Sequence, residues 1–373
     1  MCSRAGFQVQ RVNCAEPICR YTSCVRSRCA LFVAALVSCS SPEAQVPSAN
    51  QTSPGGPDAS VTDASSSSAK DGTPAQDGAS GPDASLTDAS VPDQSAVDAG
   101  TYRTSLEVCW KDPSCTRALV VSHGGDWDLG TPYGSRGAFD RAVQNGADGI
   151  KTDLRMTQDG VAVVAHSSPI EVYESLDCAG RKIEEMTGAQ VAGCHIFPST
   201  SETFQRVSDV LTWARGKVVI MLTVKEARDF PAAIALVNSA GAGNYVYYEV
   251  NVSEMQGIVL TAPNWDKLNY MVNLGSPADA DLMLDTVKNP RVFMYELDPD
   301  YPGGNDATTA SQFASRIHLA GKRPFAASDT KNATVDNHLA RFNEGFDTVM
   351  SYDLKNGVIA RTQANQSRGV SPP

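Results

Sequence analysis

Residues 118–169 read ALVVSHGGDWDLGTPYGSRGAFDRAVQNGADGIKTDLRMTQDGVAVVAHSSP, and the order of apolar runs, glycines and polar breaks there decides the fold. Ala118 to Ser122 is a short apolar run that breaks at His123-Gly124-Gly125. Ser135 to Asn145 is a compact helix-length segment, and Asp148 to Leu154 is a second strand. Thr157-Gln158-Asp159-Gly160 then turns the chain into a third, Val161 to Ala165. His123 ends the first strand and His166 ends the last. Between them, Lys151 and Asp153 stand two apart on a strand, so their side chains leave the same face. Two histidines, a carboxylate and an amine at strand ends, beside glycines, make a candidate site rather than a core.

Downstream the pattern alternates. Glu171 to Phe197 is irregular, an excursion from the main fold. Thr203 to Arg215 is helix-like, with Phe204, Val207, Val210 and Leu211 at helical spacing. Strands are expected at Lys217–Val224, Tyr245–Val250, Leu268–Leu274, Val292–Leu297, Pro324–Ala327 and Asp347–Ser351. Helices are expected between them at Phe230–Ser239, Ser253–Leu260, Asp279–Val287, Ala310–Ala320 and Asp336–Asn343. Such alternation means a parallel sheet with helical crossovers. If Val161–Ala165 is only a hairpin partner of the second strand, the remaining strands number eight, and the fold class is α/β, a (β/α)8 TIM barrel. An open doubly wound sheet is the runner-up, but no G-x-G-x-x-G or Walker-type loop supports nucleotide binding in it.

The front of the 373-residue chain is different in kind. Arg20, Arg26 and Arg28 precede the apolar run Cys29 to Val37, too short to span a bilayer and suited to a signal sequence. Leu36-Val37-Ser38-Cys39 resembles a bacterial lipobox, which makes residues 1–39 an export signal and Cys39 the lipid-bearing anchor to the cell envelope. A plain secretory signal cut near Ser38 is the alternative. Residues 40–105 are Ser, Asp, Ala, Pro, Gly and Thr with almost no large apolar residues, as expected of a disordered tether. That leaves 106–373 for the barrel. The net charge of −11 argues against nucleic acid as a partner. Six of the ten cysteines lie at or before Cys39, and the short spacings of the other four suggest disulfides Cys109–Cys115 and Cys178–Cys194. Zinc is disfavoured because the spacings do not match CxxC knuckles.

Active sites of such barrels lie at the C-terminal ends of the strands, where His123, Lys151, Asp153, His166 and Lys225 all fall. Two histidines flanking a site permit acid–base catalysis at neutral pH. On spacing alone, a histidine that merely caps a strand is an equal reading.

A resemblance adds to this. Ser122-His123-Gly124-Gly125, then Gly146-Ala147-Asp148-Gly149-Ile150-Lys151-Thr152-Asp153 through Thr157-Gln158-Asp159-Gly160, then Val163-Val164-Ala165-His166, resemble the glycerophosphodiester phosphodiesterase family in order and spacing. Weaker echoes follow at Ile183–Thr187, Val218–Lys225 and Phe346–Asp353. The resemblance implies a phospholipase-C-like barrel whose paired histidines, here His123 and His166, act on a phosphodiester. It also implies a divalent cation, Ca²⁺ or Mg²⁺, held by an E-x-D pair and a further Glu in an I-E-I-K strand. This chain departs from that pattern: Lys151 stands for the first metal Glu, Thr223 for the other, Gly124 for an Arg and Ser167 for an Asp. Asp153 alone would remain as a ligand. A unit charge about 4 Å from a dication is repelled by roughly 8 kcal/mol at an effective dielectric of about 20, so no cation is expected unless Lys151 swings away.

Three readings follow. Lys151 takes the metal's place and stabilises charge on the phosphoryl oxygens, as in metal-free phospholipases on similar barrels, with Lys225, Arg155 and Trp127 binding a small-molecule or lipid phosphodiester. Alternatively the barrel is a catalytically inactive binding module on a surface lipoprotein. In the third reading Lys151 and Asp153 form an inert ion pair in a scaffold. Retention of both histidines favours the enzyme. Trp127 and Tyr133 are candidates for shaping a headgroup pocket.

Overall fold

The computed structural model describes residues 106–327 and 333–370; the expected signal with Cys39 and the expected tether lie outside the described residues. In chain order the barrel elements are β1 (Leu119–His123), α1 (Arg136–Gln144), β2 (Gly149–Met156), β3 (Ala162–Val164), α2 (Val207–Ala214), β4 (Val219–Val224) and α3 (Phe230–Ser239). Next come β5 (Val246–Asn251), α4 (Val252–Gly257), β6 (Asn269–Leu274), α5 (Pro277–Ala280, running on as a π-helix over Asp281–Val287) and β7 (Val292–Leu297). The series ends with α6 (Ala307–Leu319), β8 (Arg323–Ala327), α7 (Val335–Asn343), β9 (Thr348–Ser351) and α8 (Leu354–Ser367).

β1 pairs in parallel with both β2 and β9, and the ring runs on through β4 to β8, so eight parallel strands close a TIM barrel. β3 pairs only antiparallel to β2, with Leu154 opposite Val164, and stands outside the ring as the hairpin partner that the turn at Thr157–Gly160 anticipates.

Strand alternation sorts the side chains. Val120, Ile150, Ile220 and Leu222 face the helices in the outer core, while Val121, Met221, Tyr247, Met271, Met294 and Met350 join an apolar cluster inside the ring. Stepping two residues further along each of these strands keeps the same face and reaches His123, Thr223, Glu249, Asn273, Glu296 and Tyr352, and Lys151 stands likewise two on from Gly149 in β2. The interior thus changes from apolar to polar towards the C-terminal ends of the strands. The base is closed by residues 106–111, a helical turn that carries the fully buried Trp110 into the inner cluster. Arg323, also buried, donates to the carbonyls of Asp112, in the loop that the Cys109–Cys115 disulfide ties together, and of Arg117 just beyond it, each at 3.1 Å. Cys178–Cys194 forms as well.

Some expectations need correction. The helix anticipated from Thr203 begins only at Val207, because Thr203 bridges His195 and Arg206 bridges Val163, which holds the chain extended. Ser253–Leu260 splits into α4 and a separate 3-10 turn. α8 was not anticipated: Gly357, Ala360, Arg361 and Ala364 are among its buried residues, too small or polar to give an apolar helical stripe.

Candidate functional site

The site is built where β1, β2 and β4 end. Gly124 follows His123 at φ +74°, and a Cβ there would lie 1.8 Å from the Tyr133 ring. The Tyr133 ring thus fills the space an arginine would need, which accounts for Gly124 at that position. Tyr133 packs beside His123 and donates its hydroxyl to Asp153 Oδ2 at 2.8 Å. On the other side the His123 imidazole stacks on Tyr352, ring centroids 4.1 Å apart. Burial, then the charge of Lys151, holds the His123 imidazole well below its ordinary pKa. Its Nδ1 is buried with no partner among the described residues.

Asp153 is fully buried and surrounded by donors. Lys151 Nζ lies 2.6 Å and Lys225 Nζ 3.4 Å from its Oδ1, while Tyr133 takes Oδ2. Burial pushes this carboxyl up, but Lys151 and Lys225 outweigh burial and hold it well below the usual carboxylate range. Burial would lower the Lys151 ammonium; Asp153 and then Glu249 reverse that and raise it. Lys151 is therefore a buried ammonium at the barrel mouth, its charge favoured by the Asp153 carboxylate beside it.

His166 follows β3. Its backbone N–H and that of Ser167 both donate to the Glu174 carboxylate, at 2.7 and 2.9 Å. Its Nδ1 lies 3.0 Å from the Tyr173 hydroxyl and 3.1 Å from the Ser167 hydroxyl. Burial pulls its pKa down to about 4, with Asp153 opposing and Lys225 and Lys151 assisting. Both histidines are thus neutral at pH 7.

The sequence-derived residues divide. His123, Lys151, Asp153, His166 and Lys225 come together at one mouth. Trp127 stands at its edge, donating Nε1–H to the His123 carbonyl at 2.9 Å and packing edge-on to Tyr133. Arg155 is used as a brace: its Nε donates to the His166 carbonyl at 3.0 Å and its Nη1 pairs with Glu226 at 3.2 Å. Thr223 donates to Glu249, which also accepts from Asn273. Glu249, Glu296 and Tyr352 share the interior face, and sequence reasoning passed over all three. A lone carboxylate within the apolar strand Tyr247-Tyr248-Glu249-Val250 was the available signal. Glu296 is buried, and burial followed by Glu249 pushes its carboxyl well up. Glu174 carried no signal inside an irregular segment.

The divalent cation implied by the resemblance does not fit these residues. Both Asp153 oxygens are engaged by donors, two of them ammonium groups, and no group of three or more His, Cys, Asp or Glu side chains among the described residues is arranged to hold a metal.

Comparison with known proteins agrees with the geometry. Residues 135–273 match the model of the glycerophosphoryl diester phosphodiesterase family. A glycerophosphodiester phosphodiesterase of Caldanaerobacter subterraneus is 40% identical over 55 residues, 15% of this chain and 22% of that protein. A probable glycerophosphodiester phosphodiesterase 2 of Mycobacterium tuberculosis is 26% identical over 130 residues, 34% of this chain and 46% of that protein. The chain thus spans less than half the length of these curated relatives. Among solved structures, a glycerophosphoryl diester phosphodiesterase from Parabacteroides distasonis superposes with a TM-score of 0.56 at 17% identity, covering 71% of this chain and 92% of that one. An Oleispira antarctica phosphodiesterase in complex with the product sn-glycerol-3-phosphate gives 0.52 at 14% identity, covering 66% and 98%. At these identities the structures speak for the barrel fold alone.

Proposed function

We propose that this chain, whose residues 135–273 match the model of the glycerophosphoryl diester phosphodiesterase family, hydrolyses phosphodiesters between His123 and His166 with the Lys151 ammonium doing the work of the family's cation. The observation that carries the reading is the buried Lys151 ammonium, held 2.6 Å from the fully buried Asp153 at the barrel mouth that also holds His123 and His166. A phosphodiester anion drawn to Lys151 and Lys225 brings the negative charge that two depressed imidazoles lack, and so favours one imidazolium in the complex. The neutral histidine takes the proton of the attacking hydroxyl, from water or from the substrate's own neighbouring alcohol, as the new O–P bond forms. The imidazolium gives its proton to the departing alkoxide as the old P–O bond breaks. Lys151 stabilises the charge that builds on the phosphoryl oxygens, and Tyr133 and Lys225 hold Asp153, which fixes Lys151 in position.

The test is release of product from glycerophosphodiesters and lysophospholipids by the purified protein, with EDTA or with added Ca²⁺ or Mg²⁺. Turnover that survives EDTA and vanishes in both His123→Ala and Lys151→Ala supports the reading. Turnover that needs metal and improves in Lys151→Glu refutes the role given to the lysine. Absence of turnover in every condition leaves the inactive binding module.

We also assign the protein to the cell envelope, exported and lipid-anchored at Cys39. Two disulfides in the barrel support an oxidising compartment. Incorporation of a labelled fatty acid that persists in Cys39→Ser would overturn this assignment.

A further inference from the structure

Resting on the reading of the mouth as a phosphodiester site, we propose that its rim docks on a zwitterionic phospholipid surface through Trp127, Leu129, Val172, Tyr173 and Leu176. Eight large apolar side chains stay exposed among the described residues, and these five of them lie on the two loops that carry the catalytic histidines' neighbours. Surface apolar residues are ordinarily scattered singly; here they are concentrated at one end of one barrel.

Both loops present these side chains by construction. Leu129, 79% exposed, sits at the tip of a turn in which the Asp128 carboxylate accepts from the N–H groups of Gly130 and Thr131 and pairs with Arg141 of α1 at 2.8 Å. In the second loop the polar residue turns in and the apolar ones turn out. Glu174 is buried under His166 and Ser167, while Val172, Tyr173 and Leu176 are exposed around it. Cys178–Cys194 closes that loop behind them.

The occupant follows from charge and access. The cations Lys151 and Lys225 lie within the mouth, whereas the rim loops carry more exposed acids (Asp128, Glu171, Asp177, Glu184 and Glu185) than exposed cations (Arg181 and Lys182). A zwitterionic headgroup, with phosphate inward and ammonium outward, matches that order, and an anionic surface would be repelled. Both ends of the described chain lie at the base of the barrel, where Arg368 donates to the Thr116 carbonyl ahead of β1. A phospholipid whose phosphodiester reaches Lys151 brings the bilayer surface to these loops, and a cluster of exposed aromatic and aliphatic side chains on them suits insertion among headgroups.

The experiment uses the full chain with Cys39→Ser, so that no acyl anchor contributes, and vesicles of phosphatidylcholine or of phosphatidylcholine with phosphatidylglycerol. Tryptophan quenching by brominated acyl chains and cosedimentation are measured alongside hydrolysis of a soluble p-nitrophenyl phosphodiester. Binding is expected for phosphatidylcholine, weakening as the anionic lipid increases. Leu129→Ser with Leu176→Ser should weaken it roughly tenfold or more, Leu319→Ser on the exposed flank of α6 should not, and soluble turnover should be the same in all. Equal vesicle binding by the rim variant and the parent would overturn the proposal, as would self-association of the parent, abolished in the rim variant, without vesicle binding. Vesicle binding that depends on the rim with no turnover anywhere would sink the enzyme reading and leave the docking surface standing.

Discussion

Replacing Lys151 by Met removes one charge of a buried pair and keeps most of the side-chain volume. The Lys151 and Asp153 side chains are 6% and 0% exposed with 2.6 Å between their charged atoms, so solvent screening is slight. At an effective dielectric of about 20 such a pair attracts by about 6 kcal/mol before desolvation, and removing one partner of a buried pair costs about 3–5 kcal/mol. Lys225 remains 3.4 Å from the carboxylate, which favours the lower end, about 3 kcal/mol. The pH dependence has a definite sign. In the parent the Asp153 pKa is depressed by its cations, so its contribution is present above the ordinary carboxylate pKa of about 4 and is lost as pH falls below it. In Lys151→Met burial gains weight and the folded pKa rises, so the deficit is largest at neutral pH and shrinks towards pH 4. Urea unfolding followed by circular dichroism at several pH values between 4 and 8 reads both quantities. A double-mutant cycle with Asp153→Asn should return a coupling of about 1–3 kcal/mol. A deficit below 1 kcal/mol at pH 7, or one independent of pH, would refute this account of the pair.

Further perturbations have equally definite outcomes. Gly124→Ala must relieve a 1.8 Å overlap with Tyr133 at φ +74°; a loss of more than about 2 kcal/mol in unfolding free energy is expected, and a variant as stable as the parent would show that the loop yields freely. With His166 lowered to about 4 and His123 also depressed, the imidazolium the reaction needs takes its proton from solvent, so kcat/KM for a soluble diester should rise as pH falls from 7 and turn down only near pH 4. An acid limb at 6.5 would mean that the histidines of the free protein are more solvated than the structure has them. Replacing Cys178 and Cys194 by Ser opens a loop of separation 16 and should cost about 3 kcal/mol. Because that loop carries Glu174 and Tyr173, turnover should fall with it; unchanged turnover would separate the loop from the positioning of His166.

The barrel was legible because most of its strands are short apolar runs followed by a helix, a rhythm set by parallel crossovers. His123, Lys151, Asp153 and His166 were legible because polar residues at strand ends beside glycines break that rhythm. What escaped depends on contacts far apart in sequence. Nothing local to Gly124 predicts a tyrosine ring nine positions on filling the neighbouring space. Arg155 reads as a site residue on its strand, yet β2 runs past the ring to pair with β3, and its guanidinium is spent on the His166 carbonyl. Glu174 lies in a segment without period, and its importance comes from two backbone N–H groups at His166 and Ser167. α8 packs with small residues, and hydrophobic patterning is blind to those.

The closure of the ring between β1 and β9 bears on how the chain acquires its structure in time. The first strand cannot complete its pairing until the last has been synthesised, and Arg323 must find carbonyls some two hundred positions earlier, at sequence separations of 211 and 206. Contacts of such separation make folding slow and late. A polypeptide emerging N-terminus first therefore stays open and threadable until nearly its whole length has appeared. On the export proposed above, that interval is the one in which an unfolded chain could be translocated, before the base carrying Cys109–Cys115 is complete.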